Sequence, residues 1–104
     1  MRRFHFHVRN GDGLHRDETG VDLPDAEAAR AEAVEGARSI MADEVRLGRL
    51  DLTGCIEVAD GAGEPVLTVS FAQAVAVRFP AWAERRAGLR REPAFPLRRR
   101  LRGA

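Results

Sequence analysis

Residues 3–9 alternate strictly, with Phe4, Phe6 and Val8 on one side and Arg3, His5, His7 and Arg9 on the other. Period two with aromatic and β-branched residues predicts a half-buried strand. Asn10-Gly11-Asp12-Gly13 supplies a turn. The return strand is less regular. Leu14 opens it, Arg16-Asp17-Glu18 is polar, and Val21 and Leu23 restore the apolar alternation. Gly20 marks a bulge or bend within it.

Pro24-Asp25 ends this strand, and Asp25 fits the N-cap of a helix whose first turn holds Glu27. From Ala26 to about Leu47, apolar residues recur at helical spacing. Ala26, Ala29, Ala33, Val34, Ala37, Ile40, Met41 and Val45 share one broad arc, interrupted by Arg30 and Glu44. Gly48 is a natural stop. A third strand runs from Cys55 to Ala59 with Ile56 and Val58 inward. A turn follows at Asp60-Gly61-Ala62-Gly63-Glu64. The fourth strand, Val66 to Phe71, turns Leu67, Val69 and Phe71 one way and Val66, Thr68 and Ser70 the other. Ser70-Phe71-Ala72-Gln73 matches a capping box, which predicts a short helix to about Val77. Pro80 ends it, and residues 81–86 can add another turn or two.

The order predicts an α+β fold, ββαββ: a four-stranded, mainly antiparallel sheet with one long helix packed on one face. A short C-terminal helix and an Arg-rich tail follow. The expected inward residues are Phe4, Phe6, Val8, Val21, Leu23, Ala33, Ala37, Ile40, Met41, Ile56, Val58, Leu67, Val69 and Phe71, with Ile40 at the centre. A chain of 104 residues is one folding unit with a small core, which makes a homodimer the expected assembly and counts against a deep active site.

Charge divides the chain. Residues 1–77 hold eight Arg against fourteen acids, a balance of −6. Residues 78–104 hold nine Arg against Glu84 and Glu92, a balance of +7. This assigns residues 1–77 to the ββαββ domain and 78–104 to a partly disordered, Arg-rich extension. There is no Lys, so every cation is a planar guanidinium suited to carboxylate or phosphate. Cys55 is the only cysteine, which excludes an internal disulfide and a cysteine-rich zinc motif, and fits a reducing cytoplasm. No apolar run is long enough for a membrane span. His5, His7, Arg9 and Asp12 interrupt any apolar region behind Arg2-Arg3, against an export signal.

The aromatic first strand ending in Asn10-Gly11, the segment Asp17-Glu18-Thr19-Gly20-Val21-Asp22-Leu23-Pro24-Asp25, the Ala-rich helix, Ile56-Glu57-Val58 and Val66-Leu67-Thr68-Val69-Ser70-Phe71 belong together. Over residues 3–75 this order resembles a family of small ββαββ proteins of unknown function common in alphaproteobacteria. The resemblance implies the fold and brings no catalytic residues. The Arg-rich extension departs from the family pattern. A small antiparallel sheet beside one helix is also similar to bacterial antitoxins of the HicB type, at the level of fold alone.

The sharpest local cluster is histidine. If the turn sets His7 opposite His15, then His5, His7, His15 and Asp17 share one face and would suit zinc or nickel; a slip of one residue removes His15. The bland reading is exposed polar residues on a sheet. The G-x-G runs at 11–13 and 61–63 join strand to strand and read as hairpin turns, because a phosphate cradle needs a helix behind the loop. Cys55 has no His predicted beside it, and Asp17-Glu18 reads as a solvated strand edge rather than an acid–base pair. In the extension, Arg85, Arg86, Arg90, Arg91, Arg98, Arg99, Arg100 and Arg102 could neutralise phosphates, with Trp82 and Phe95 stacking on bases. The bland reading is a solvated tail, or one paired with the acidic domain.

Three expectations follow, in order. The first is a non-enzymatic interaction or regulatory module, cytoplasmic, without cofactor, acting as a homodimer or on another protein. The second is nucleic-acid binding through the Arg-rich extension. The third is a metal-binding protein or enzyme using the outward histidines.

Overall fold

The computed structural model describes residues 1–85, with side chains through residue 83. Among these residues lie five strands and three helices: β1 (Arg2–Asn10), β2 (Gly13–His15), β3 (Val21–Leu23), α1 (Ala26–Arg46), β4 (Cys55–Asp60), β5 (Pro65–Ser70), α2 (Phe71–Ala74) and α3 (Ala81–Arg85). Every strand pairing is antiparallel. β1 pairs with β4 along one edge, and β5 lies beyond β4. The other edge of β1 is shared: β3 pairs with Arg2–Phe4 and β2 with Val8–Asn10. The single return strand expected from the sequence is therefore two short strands in line, and the sheet has five strands where four were expected. The polar run 16–20 leaves the sheet between them.

Period two in β1 holds. Phe4, Phe6 and Val8 stand opposite Asp60, Val58 and Ile56, and Ile56 and Val58 in turn stand opposite Val69 and Leu67. Directly opposed residues share a face, so these apolar side chains form one sheet surface beneath α1. A bulge interrupts the far end. Val58 pairs with Leu67 but Ala59 pairs with Pro65, leaving Val66 as the extra residue. Val66 consequently packs against the core, whereas strict alternation would have turned it outward.

Helix α1 begins as its sequence dictates. Asp25 accepts a hydrogen bond from the Ala28 N–H at 2.9 Å, satisfying one of the donors a helix start leaves open. It ends at Leu47, with Gly48 in the left-handed region at φ 87°. Its buried line is Ala29, Ala33, Ala37 and Met41. Methyl-sized side chains let the helix lie close to the sheet, so the centre of the core is Phe4 and Val58 against this alanine ridge. Ile40 is half-buried beside the ridge and is not the centre. Val45 is 55% exposed. The reason is length: twenty-one helical residues extend about 31 Å, while a six-residue strand extends about 20 Å. The last turns of α1 overhang the sheet. Val21 sits at the sheet margin and is likewise exposed.

Beyond β5 the capping box forms as predicted. Ser70 Oγ accepts from the Gln73 N–H, and Gln73 Oε1 accepts from the Ser70 N–H. Arg38 Nε donates to the Ala74 carbonyl at 2.8 Å, tying α2 to α1. The Phe71 N–H donates to the Gly54 carbonyl, and a Cβ at Gly54 would stand 2.7 Å from the Phe71 ring and 3.0 Å from the Arg9 carbonyl. Both Gly54 and Phe71 are buried, so neither can give way freely.

Two stability outcomes follow. Gly54→Ala should cost about 1–3 kcal/mol by overpacking. Phe4→Ala should cost about 3–5 kcal/mol, and Ile40→Ala distinctly less. Urea denaturation of the three variants gives the ranking, and an Ile40→Ala loss equal to that of Phe4→Ala would overturn it.

Candidate functional site

The sheet has α1 on one face only. Its other face carries the odd-numbered residues of β1 with their cross-strand partners: His5 opposite Ala59, His7 opposite Glu57, and Arg9 opposite Cys55. Arg9 Nε donates to Glu57 Oε2 at 2.7 Å, and Arg3 Nε to Asp22 Oδ1 at 2.6 Å. The hydrogen bond from Arg9 holds the Glu57 carboxyl below the ordinary range against the opposing effect of burial, with a smaller contribution from the Arg9 charge. Arg3 acts on Asp22 in the same way. These exposed pairs orient side chains more than they stabilise the fold. Leu14, opposite Arg9, adds an apolar patch that is 38% exposed.

The loop between β2 and β3 is held against this face by Asp17. Its Oδ2 accepts the Phe6 N–H at 3.0 Å, and its Oδ1 accepts the N–H groups of Thr19 at 3.1 Å and Gly20 at 3.0 Å. Two histidines grip the Asp17 backbone. The Asp17 N–H donates to His7 Nδ1 at 3.0 Å, and His5 Nδ1 lies 3.0 Å from the Asp17 carbonyl oxygen. The two rings stack with centroids 6.3 Å apart. Gly20 is required here. Its φ is 79°, and a Cβ would meet Arg3, His5 and the Phe4 carbonyl at 2.6–2.9 Å. A groove of about 360 Å³ lies alongside, lined by His5, His7, Asp17, Ala59 and Asp60 among others.

These partners fix the imidazole protons. A carbonyl can only accept, so His5 carries a proton on Nδ1. A backbone N–H can only donate, so His7 Nδ1 is bare and its proton is on Nε2. His15 is elsewhere. It pairs with Val8, on the opposite face of the sheet, so the register that would set it opposite His7 does not occur. A metal on both Nε2 atoms would require His7 to move its proton to Nδ1, where donor would face donor. Among the described residues no group of three or more His, Cys, Asp or Glu is arranged to hold a metal ion. His5, His7 and Asp17 come together as a structural clamp; the signal for that role was Asp17 three residues before Gly20, a spacing at which a carboxylate folds its own turn.

The other candidates take simpler places. The turn 11–12 joins β1 to β2, with Asn10 Oδ1 accepting the Asp12 N–H. The turn after β4 is folded by Asp60, whose Oδ1 accepts from Ala62 and Glu64. Neither opens a helix. Cys55 is half-buried, and burial followed by the Glu57 charge pushes its thiol up against a smaller effect of Arg9, making it a poor nucleophile at neutral pH. A second cleft of about 390 Å³ lies between the first turn and the end of α1, over Met41 and Phe71 and rimmed by Asp12, Glu44, Arg49 and Asp51. Arg85 ends α3. Arg86, Arg90, Arg91, Arg98, Arg99, Arg100 and Arg102 lie outside the described residues, as does most of the 78–104 extension expected to be partly disordered. Among the described residues no helix is long and apolar enough to cross a membrane.

The chain belongs to a family described as a domain of unknown function (DUF6894), whose model matches residues 3–72. That span runs from β1 through β5 into α2 and includes the Asp17 clamp. No curated protein and no solved structure matches the chain.

The clamp has an acid-stability signature. Burial pushes the Asp17 carboxyl up, but the N–H groups of Phe6, Gly20 and Thr19, with a smaller contribution from His5, bring it below the ordinary value. A carboxyl depressed in the folded state contributes stability above its unfolded value of about 3.9; that contribution is lost as pH falls through the lower folded value. Asp17→Ala should therefore cost about 1–3 kcal/mol at neutral pH, and its deficit against wild type should shrink toward pH 2. Urea unfolding across that range tests the sign, and a deficit that grows with acid would refute it.

Proposed function

We propose that this chain is a non-enzymatic interaction module of the cytoplasm that works as a homodimer joined through its outer sheet face. The observation that carries the reading is the one-sided covering of the sheet: α1 buries the inner face, while the outer face presents ordered charged and polar side chains over β1, β4 and β5. The lone cysteine supports a reducing compartment. The raised Cys55 thiol and the structural use of Asp17, His5 and His7 leave these groups poorly suited to catalysis.

A second copy fits this face by charge. Arg9 and Glu57, and Arg3 and Asp22, are already paired within the protomer. Arg16 and Glu18 make no ion pair or hydrogen bond among the described residues, and both are exposed on the loop that Asp17 holds. Opposite charges two residues apart are self-complementary under a two-fold axis, which sets Arg16 of one protomer against Glu18 of the other. Leu14 can add apolar contact.

Sedimentation equilibrium at high micromolar concentration should give the dimer mass for wild type. Arg16→Glu should give the monomer, and Arg16→Glu with Glu18→Arg should restore the dimer. A monomer mass for wild type rejects the reading.

A second reading rests on the +7 balance of residues 78–104, together with Phe79 and Trp82, which are 59% and 48% exposed at the start of that segment. A sequence-tolerant nucleic-acid contact would use these. Anisotropy of a labelled oligonucleotide should then rise with full-length protein at low salt, fall steeply with added salt, and stay flat after deletion of residues 89–104. Absence of binding by the full chain at low salt removes this reading.

A further inference from the structure

We propose that His7 and the Asp17 loop form a proton-operated latch, in which protonation of His7 Nδ1 releases loop 16–20 from β1. The latch acts on the face assigned above to self-association, but its readouts are internal to one protomer and stand if that assignment fails.

The two histidines grip Asp17 with opposite chemistry. His5 Nδ1 faces the Asp17 carbonyl and must donate. A proton added to His5 enters at Nε2 and leaves that contact intact. His7 Nδ1 faces the Asp17 N–H and must accept. A proton taken from solvent by His7 enters at Nδ1, because Nε2 already carries one. The lone pair that held the Asp17 N–H is gone, and an N–H now points at an N–H. The same event that leaves the His5 contact whole breaks the His7 contact.

The surroundings give the imidazolium somewhere to turn. Glu57 on β4 stands directly across from His7, and its carboxylate uses one oxygen for Arg9. A carboxylate can accept several hydrogen bonds, so Glu57 can take the imidazolium as well. The charged and titratable neighbours on this face act in both senses. On β1, Arg9 and a charged His5 oppose the new charge. On β4, Glu57 and Asp60 favour it, while Cys55 is held neutral by its raised thiol. In the loop, Asp17 and Glu18 favour it and Arg16 opposes it.

Loss of the Asp17 N–H contact acts on the rest of the loop. Asp17 closes the gap over Phe6, and its turn includes Gly20, whose backbone is packed against Arg3, His5 and Phe4. Freeing Asp17 at its N–H loosens the carboxylate that serves three backbone donors. The groove beside His5 and His7 then changes shape, and Arg16 and Glu18 move with the loop that carries them. Protonation of His7 thus resets the charges that the loop carries on the outer face.

The test is nuclear magnetic resonance on the full chain. At pH 8 the ring nitrogen shifts should show a bare Nδ1 on His7 and a protonated Nδ1 on His5. From pH 8 to pH 5 the hydrogen-exchange protection of the Asp17 amide should fall by about tenfold, the equilibrium worth of one net hydrogen bond, while that of Val58 stays constant. His7→Asn keeps an acceptor near the Nδ1 position but does not titrate, so its Asp17 protection should be flat. His5→Asn and Arg16→Glu should both keep the transition. Protonation of the Asp17 carboxyl lies below the ordinary carboxylate range and is resolved as a separate, more acid step. A proton on His7 Nδ1 at pH 8, or constant Asp17 protection in wild type, overturns the latch. The ring shifts are read on wild type, so the decision stands even if a variant fails to fold.

Discussion

Strand β1 must satisfy its backbone on both edges, and at Phe6 the satisfying group is a side chain. β4 runs along one edge without a gap, but β2 and β3 leave the middle of the other edge uncovered. The Phe6 N–H lies in that gap, beside a core residue, where an unpaired donor would be costly. The Asp17 carboxylate stands in for the missing strand carbonyl, and a charged acceptor makes the stronger bond. The same carboxylate takes the Thr19 and Gly20 N–H groups. One side chain therefore sets the shape of the loop and the point at which β3 rejoins the sheet. From β3 the chain passes through Pro24 to Asp25, the N-cap of α1. The position of the helix depends on the register of β3, and that register depends on Asp17.

The second constraint is the closeness of helix and sheet. Ala29, Ala33 and Ala37 contribute only methyl groups, so Phe4, Ile56 and Val58 come near the helix backbone. Even Gly36 has Ile56 Cδ1 at ordinary contact distance from where its Cβ would be. Gly54 repeats the device under Phe71. A core built this way is filled at small total volume, and two clefts among the described residues lie at its margins, one over the overhanging end of α1 and one on the outer face.

What could be read in the sequence was what depends on neighbours in the chain. The Asp25 cap, the Ser70–Gln73 box, the Gly48 stop and the alternation of Phe4, Phe6 and Val8 obey local rules, and each stands where those rules put it. The histidine face did not, because register is non-local. Pairing of Asn10 with Gly13 makes a two-residue turn, which leaves His15 opposite Val8; pairing with His7 would have needed a loop of different parity. Ile40 was placed at the centre of the core for a related reason. Helical periodicity reports the apolar side of a helix, but not where the sheet beneath it stops. Asp17, read from the sequence as part of a solvated strand edge, is instead the acceptor for Phe6, eleven residues back, and for Thr19 and Gly20.

Structure and recognition meet in loop 16–20. Every other charge contact described on the outer face is closed within the protomer: Arg9 with Glu57, Arg3 with Asp22. The loop departs from this. Its centre, Asp17, is committed to backbone donors, while the residues on either side, Arg16 and Glu18, make no hydrogen bond or ion pair among the described residues, although the charge of Arg16 helps lower the Glu57 carboxyl. A chain segment that leaves a sheet sacrifices ladder hydrogen bonds, and here a carboxylate and two imidazoles replace them. Strand hydrogen bonds do not titrate in the physiological range; an imidazole acceptor does. Replacing the ladder by His7 and Asp17 thus makes the attachment of this one loop responsive to protons, while the alanine ridge and the backbone hydrogen bonds between β1 and β4 do not depend on an imidazole ring.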